Sequence, residues 1–207
     1  MRNIQSYGNK VIKLVDTVYT IGYSCFSPDR FIRTLREHQI SLVVDVRSQP
    51  YSQRFPDYNK EHLAKTLKGF GIYYRNYAKE FGARQEDRAY YPRGYLDFEL
   101  FSQSPPFQEG YTRLVESMKQ GYRFTLMCAE KDPFNCHRTF LVARPFYEAG
   151  YRVLHLMPEG KTVPHAEIEQ RLLDKYFPGR DQFGLFEEAL DESNYLKKAY
   201  QMRNSEI

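Results

Sequence analysis

The run Ile40–Val46 constrains the fold more than any other stretch of the chain. It reads ISLVVDV, with two polar residues among the apolar ones, and this pattern is typical of a strand buried on both faces of a parallel sheet. Another apolar run lies at 18–21, and between the two is a helical pattern that Ser27 caps with Pro28 at its first position. Strand, helix and strand at this spacing predict a βαβ unit, in which the two strands are parallel.

Similar alternation continues along the chain and predicts one α/β domain. The segments expected to be parallel strands are 18–23, 41–46, 122–128 and 151–156. Each is followed by a helical or turn pattern, so we expect a three-layer, mostly parallel sheet flanked by helices, Rossmann-like, over residues 17–177. Residues 1–16 are expected to form an N-terminal arm. Residues 178–207 are expected to form a helical extension that packs on the domain or mediates a homodimer, and the sequence does not separate these two roles.

Composition and charge limit which partners and which cellular compartment are expected. The chain has 207 residues and a formal net charge of +4, which permits a nucleic-acid or nucleotide partner without requiring one. Its three cysteines are an odd number, and its start has no apolar signal region, so we expect a reducing, cytoplasmic compartment. No run approaches the roughly 18 apolar residues that span a bilayer, which predicts no membrane partner.

The richest chemistry lies in one stretch of eleven residues, CAEKDPFNCHR. It holds two thiols, a carboxylate, an imidazole and a guanidinium: Cys128, Glu130, Cys136, His137 and Arg138. We expect Asn135 to cap the following helix, which would place Cys136 in a first turn whose free N–H groups favour a thiolate. The alternative interpretation is structural, with a buried Cys128, a helix-capping turn, and Arg138 paired with Glu130 for stability only.

The carboxyl ends of parallel strands meet at one edge of a sheet, where α/β proteins bind their ligands. Three segments are expected at this edge: Gly22–Ser24, Asp45–Arg47 and Cys128–Glu130. From Arg47 to Arg93 the chain has ten Lys or Arg against five Asp or Glu, with ten aromatic residues between them. Basic residues among aromatic ones suit a nucleotide or a single-stranded nucleic acid, although a solvated surface insertion has the same composition.

Taken together, the motifs resemble those of domain-of-unknown-function family 488. They are Thr20–Ser24, Asp45–Arg47 with Pro50, Ser52 and Arg54, Phe81–Arg84, Cys128–Glu130, Cys136–Arg138, and Gly160 with Pro164–His165. The resemblance covers roughly residues 17–175, and two positions depart from it: Tyr23 stands where His is usual, and Ala83 where a second Gly is common. It implies a compact α/β fold with a shared site, and no substrate.

The interpretation that we favour is an enzyme, a hydrolase or transferase, acting on a phosphate-bearing substrate such as a nucleotide or nucleic acid. Bidentate contacts from Arg47 and Arg138 would hold the phosphate, and Glu130 or Asp45 would act as general base or nucleophile. The candidate catalytic residues are Asp45, Glu130, Cys136 and His137. The candidate substrate-binding residues are Ser24, Arg47, Arg54, Arg84, Cys128 and Arg138.

Three alternatives remain open at this point. Cys128 or Cys136 could be a nucleophile with His137 as its base, and Cys128 is better placed because adjacent helical residues diverge by about 100°. Cys128, Cys136 and His137 could bind zinc or iron, although the spacing is unusual. The same groove could also bind a nucleotide or nucleic acid without catalysis. No cofactor is predicted, and a divalent metal is compatible with the residues.

Overall fold

A mostly parallel sheet organises the molecule. The computed structural model describes residues 16–180 and 192–207, and within them six strands form one sheet in the order β3–β2–β4–β1–β5–β6. The strands are β1 (Thr17–Gly22), β2 (Leu42–Asp45), β3 (Tyr73–Asn76), β4 (Phe124–Cys128), β5 (Arg152–Leu156) and β6 (Thr162–Pro164). The first five are parallel, and β6 pairs antiparallel with β5. The three-layer α/β prediction is confirmed.

Helices cover both faces of the sheet. In the described residues they are α1 (Pro28–Glu37), α2 (Lys60–Gly69), α3 (Ala78–Phe81), α4 (Phe98–Ser102), α5 (Pro105–Lys119), α6 (Arg144–Glu148), α7 (His165–Tyr176) and α8 (Glu192–Asn204). Helices α1 and α2 pack on one face, while α5, α6, α7 and α8 pack on the other. A π-helical segment, Arg138–Ala143, leads into α6 on this second face.

The central strands are buried on both faces, as the continuous apolar runs predict. All five residues of β4 are buried, and alternate side chains enter opposite layers. Leu126 therefore packs under α5 and α6, while its neighbour Met127 packs under α1 and α2. Every predicted strand is present, with ends displaced by one or two residues.

Helix starts were predicted with mixed success. Ser27 caps α1 as expected, because its Oγ accepts a hydrogen bond from Arg30 N. The expectation that Asn135 caps a helix is wrong. Asp132 instead caps a short 3-10 turn by accepting a hydrogen bond from Phe134 N, and Cys136 is extended, with φ −142° and ψ 134°. The helix therefore begins one residue later than predicted.

The C-terminal extension contains a helix that packs on the domain. Tyr200 of α8 is buried, and Asn204 donates a hydrogen bond to Leu96 O and accepts one from Phe98 N. The predicted arm at 1–16 lies outside the described residues except for its last position, as do residues 181–191. A homodimer through the extension stays a prediction. Among the described residues, no helix has the length and apolarity needed to cross a membrane.

Candidate functional site

The topology creates a crevice at the carboxyl end of β4. Strand β4 lies between β2 and β1, and the chain leaves β1 and β2 toward the α1 face but leaves β4 toward the α6 face. Neighbouring strands whose exits diverge in this way leave a ligand-binding crevice between them. A cavity of about 600 Å³ lies there. Its walls include six of the predicted site residues: Arg47, Arg84, Cys128, Glu130, Cys136 and His137.

Two thiols and an imidazole converge at the base of this cavity. The Sγ atoms of Cys128 and Cys136 and a ring nitrogen of His137 all lie within 4.8 Å of one another, and the three residues are buried. Cys128 Sγ lies 3.8 Å from His137 Nδ1, while Nε2 of the same ring lies 3.0 Å from Val46 O. Cys136 Sγ donates a hydrogen bond to Glu130 Oε2 over 2.9 Å. These four side chains form one hydrogen-bonded group, which we call the thiol cluster.

The pKa values of the two thiols in the thiol cluster are shifted in opposite directions. The hydrogen bond to Cys136, together with burial, raises the pKa of Cys128 well above its ordinary value. Burial would also raise the pKa of Cys136, but the hydrogen bond from Cys128 and the positive charge of Arg138 outweigh it and lower that pKa well below the ordinary value. Cys136 is therefore the more acidic thiol of the pair, and Cys128 is the less acidic one.

The pKa values of Glu130 and His137, which lie beside Cys136, are both shifted upward. Burial, reinforced by the charge of Cys136, raises the pKa of the Glu130 carboxyl. Burial lowers the pKa of His137, but the hydrogen bond and charge of Cys136 outweigh it, so the net shift is upward. Both groups thus bind protons at higher pH than their exposed counterparts do, as expected for groups that exchange protons near neutral pH.

Arg138 lies behind the cavity. It is fully buried, its Nη1 donates to Glu130 O over 2.6 Å, and its Nε donates to Thr20 Oγ1 over 3.4 Å. Gly22 leaves room for this contact, because a Cβ there would lie 1.8 Å from Glu130 O. Arg138 therefore positions the backbone of Glu130, and its contact with a ligand stays a prediction.

Asp45 and Arg47 form a buried ion pair. The Asp45 carboxylate accepts hydrogen bonds from Arg47 Nε over 2.8 Å and Nη2 over 2.5 Å, and a third from Tyr74 Oη over 2.6 Å. Arg47 Nη2 also donates to Tyr58 O, but Nη1 is buried without a hydrogen-bond partner among the described residues. Asp45 thus holds Arg47 in place, and Arg47 has one donor to spare at the cavity wall.

Besides Arg138, two further predicted substrate-binding residues lie outside the walls of the cavity. Ser24 donates its backbone N–H to Ala129 O, which joins the exits of β1 and β4. The Arg54 guanidinium lies over the Phe55 ring, 5.3 Å from its centroid. Contact of either residue with a ligand stays a prediction, whereas Arg84 is exposed at the wall.

One wall of the cavity comes from the end of α8 and the residues that follow it, which sequence reasoning missed. Arg203, Glu206 and Ile207 line it, although they lie more than sixty positions after the thiol cluster. Arg203 donates from Nε to Phe134 O and from Nη2 to Asn135 Oδ1, so α8 is bonded to the turn that precedes Cys136. The spacing of Tyr200 and Arg203 on one helical face was a signal, but it does not say what that face packs on.

Comparison with known families supports the resemblance drawn from the motifs. Residues 27–144 match the domain of unknown function DUF488, which is more than half of the chain. The chain belongs to the DUF488 family. The match includes the whole thiol cluster and the Asp45–Arg47 pair of this DUF488 protein, but not the first motif or α8. No curated protein and no solved structure matches the chain.

Both residues that depart from the DUF488 motif pattern, Tyr23 and Ala83, line the cavity. Tyr23, where His is usual, is buried and stacks on Tyr58 with ring centroids 4.4 Å apart. The Arg47 guanidinium lies 5.0 Å from the centroid of the Tyr23 ring, so the aromatic ring helps to hold the arginine. Ala83 lines the cavity beside Arg84.

Proposed function

We propose that the protein is an enzyme, a hydrolase or transferase, that binds a phosphate-bearing ligand in this cavity, most suitably a nucleotide or a nucleic-acid end. The observation that carries the proposal is at Arg47, which lines the cavity and whose Nη1 is buried with no hydrogen-bond partner in the described part of the chain. A buried donor without a partner costs about 1–3 kcal/mol, and more when it is charged. A phosphate oxygen would remove that cost by accepting the hydrogen bond.

The charge of the cavity supports an anionic ligand. Arg47, Arg84 and Arg203 line it, against the carboxylates of Glu130 and Glu206. Arg203 already donates to Glu206 and to the neighbouring turn, so Arg47 and Arg84 are the residues with donors to offer. Guanidinium groups bind phosphate through paired N–H···O bonds, which favours a terminal phosphate that reaches both of these residues.

An aromatic side chain at the rim supports a ligand that carries a base. Tyr51 lines the cavity and is 68% exposed, so its ring is open to a ligand. Stacking of a nucleobase on such a ring contributes about 1–3 kcal/mol and depends little on which base it is. This favours a nucleotide over inorganic phosphate.

The carboxyl group of Glu130 supports catalysis rather than binding alone. A carboxylate beside a phosphate weakens binding by Coulomb repulsion, so its presence in an anion site suggests chemistry. Its raised pKa allows it to take a proton from an attacking water or hydroxyl and to give that proton to the departing oxygen. Glu130 is therefore the proposed general acid–base residue.

The proposal is tested by binding and turnover with matched variants. Nucleotides and short single-stranded oligonucleotides are titrated into the wild type by calorimetry, and their products are followed by mass spectrometry. Arg84→Ala should weaken binding roughly tenfold or more, the loss of a charge-assisted hydrogen bond. Arg33→Ala, which changes an exposed arginine of α1 outside the cavity walls, is the matched control.

Catalysis is tested at Glu130. The Glu130→Gln variant should bind the ligand at least as tightly as the wild type and lose turnover. The exposed carboxylate of Glu159 supplies the control substitution, Glu159→Gln. Absence of binding by the wild type would refute the phosphate site, and binding without any turnover would favour a non-catalytic nucleotide-binding module.

A further inference from the structure

We propose that Cys128, Cys136 and His137 form a binding site for a thiophilic divalent cation, for which zinc is the best match, with Glu130 beside its fourth position. Two sulfur donors and one imidazole nitrogen are the ligands that zinc prefers in proteins. This inference goes beyond the proposed phosphate ligand, and its three metal ligands are not the arginines proposed to bind the phosphate. It therefore succeeds or fails independently of what binds at Arg47.

The distances fit a tetrahedral ion. With Zn–S near 2.3 Å and Zn–N near 2.0–2.1 Å, two ligand atoms on a tetrahedral zinc are about 3.5–3.8 Å apart. Cys128 Sγ and His137 Nδ1 are 3.8 Å apart, and the longest separation among the three ligand atoms is under 4.8 Å. Side-chain rotations alone can close a difference of this size, since the Sγ atoms lie one bond beyond Cβ.

The imidazole of His137 is already oriented as a ligand. Its Nε2 lies 3.0 Å from Val46 O, and because a carbonyl can only accept, Nε2 must carry the proton of that hydrogen bond. The neutral ring then has its lone pair on Nδ1, the nitrogen that faces Cys128 Sγ. A ligand histidine held through its other nitrogen by a backbone carbonyl is the usual outer-shell arrangement of zinc sites.

A change of backbone conformation between Cys136 and His137 lets these two adjacent residues reach one ion. Neighbouring residues within a helix point about 100° apart and seldom share a metal. Here Cys136 is extended, with φ −142° and ψ 134°, whereas His137 is helical, with φ −58° and ψ −26°. The change of conformation between them turns both side chains toward Cys128. The unusual sequence spacing is therefore no obstacle to a shared metal.

Three protein ligands and a free fourth position are typical of catalytic rather than structural zinc. Cys128, Cys136 and His137 all line the cavity, so the remaining position is reached from the ligand side. Glu130 Oε2 lies 2.9 Å from Cys136 Sγ and is next to that position. A zinc ion held by these three residues would supply Lewis-acid chemistry at that position, and Glu130 would be the neighbouring proton acceptor.

The test is metal binding by the reduced, full-length protein. After removal of metal with a chelator, Zn²⁺ and Co²⁺ are titrated separately. We expect about one ion per chain and, for Co²⁺, a thiolate charge-transfer absorption with the intense visible bands of a tetrahedral centre. The single variants Cys128→Ser, Cys136→Ser and His137→Ala should each lower affinity by at least about a hundredfold, since even outer-shell changes cost 10–100-fold.

Two further variants test whether metal binding depends on the three proposed ligands and not on another cysteine or on the nearby carboxyl group. Cys25→Ser removes the third cysteine, whose Sγ lies 3.3 Å from Gly22 O and outside the thiol cluster, and it should leave affinity unchanged. Glu130→Gln should also retain about one ion, because Glu130 is placed beside the metal and is not one of its three ligands. Circular dichroism checks that each variant is folded.

A measurement on the wild type keeps the test decisive if a variant fails to fold. Bound Zn²⁺ should protect Cys128 and Cys136, but not Cys25, from alkylation, as mapped by mass spectrometry. Equal alkylation with and without Zn²⁺, or equal Co²⁺ spectra for wild type and Cys128→Ser, would overturn the proposal. Rapid formation of a Cys128–Cys136 disulfide that Zn²⁺ does not prevent would assign the pair to redox chemistry. Metal binding without nucleotide binding would refute only the proposed function.

Discussion

Acid should destabilise the fold through His165, a buried histidine next to the cavity-forming helix α8. Its Nδ1 lies 3.3 Å from His155 Nε2, and its Nε2 lies 3.0 Å from the Tyr200 hydroxyl. Burial, with a smaller effect from the positive charge of Arg144, lowers the pKa of His165 from 6.5 to about 3. The folded protein therefore keeps this imidazole neutral under conditions in which an exposed histidine is charged.

The magnitude follows from these two pKa values. Below pH 6.5 the unfolded chain binds a proton that folded His165 does not, so stability is complete above this pH and falls as the pH approaches 3. Proton linkage gives a loss of about 2 kcal/mol between pH 7.5 and pH 5. His155, whose pKa burial also lowers well below its ordinary value, contributes with the same sign.

Urea unfolding at pH 7.5 and pH 5 measures this loss. The His165→Asn variant should be less stable at both values, but its decrease on acidification should be smaller than that of the wild type by about 2 kcal/mol. His62→Asn, at a histidine with an exposed side chain, is the control for the loss of an imidazole. Equal decreases in wild type and His165→Asn would refute the reasoning.

Three further predictions concern the supports of the cavity. Gly22→Ala places a Cβ against Glu130 O and should lower stability by about 1–3 kcal/mol, as measured by thermal unfolding. Gly69→Ala, where a Cβ meets nothing within 4 Å, is the control and should not lower stability. Arg47→Met leaves the Asp45 carboxylate buried without its partner, so it should lower the free energy of unfolding by about 3–5 kcal/mol. A second change, Asp45→Asn, should restore most of this loss. Urea unfolding that shows no recovery in the double variant would contradict this prediction. Arg203→Met removes the bonds to Phe134 and Asn135, and it should speed amide hydrogen exchange at 134–136 but not in β4. An equal change of exchange rate in both segments would contradict this prediction.

The sheet and its edge were predictable because their signals are local. A buried parallel strand needs an apolar run, and 41–46 supplies one; a helix needs a cap, and Ser27 with Pro28 supplies it. The meeting of Arg47, Glu130 and Cys136 then follows from the geometry of parallel strands. The short antiparallel strand β6 was missed, since three residues carry too little pattern.

The finer arrangement of the site was not predictable from spacing. Asp132 and Asn135 both suit a helix cap, and only the structure shows that Asp132 forms the cap while Cys136 is extended. Asp45 and Arg47 suit either a shared ligand or a mutual ion pair, and which of these forms depends on Tyr74 and Tyr58, which belong to other elements. Contacts with residues that are far away in the sequence cannot be predicted from a local sequence pattern.

Under the proposed function, the residues that would carry out the reaction and part of the wall that would contact the ligand lie in different stretches of the chain. The thiol cluster and the Asp45–Arg47 pair lie within residues 27–144, whereas Arg203, Glu206 and Ile207 lie far beyond that range. Substitutions at the end of α8 and just after it would thus change the shape and charge of the cavity wall without changing the thiol cluster. Under the proposed function, such substitutions would alter which ligand is preferred and leave the proposed catalytic residues unchanged.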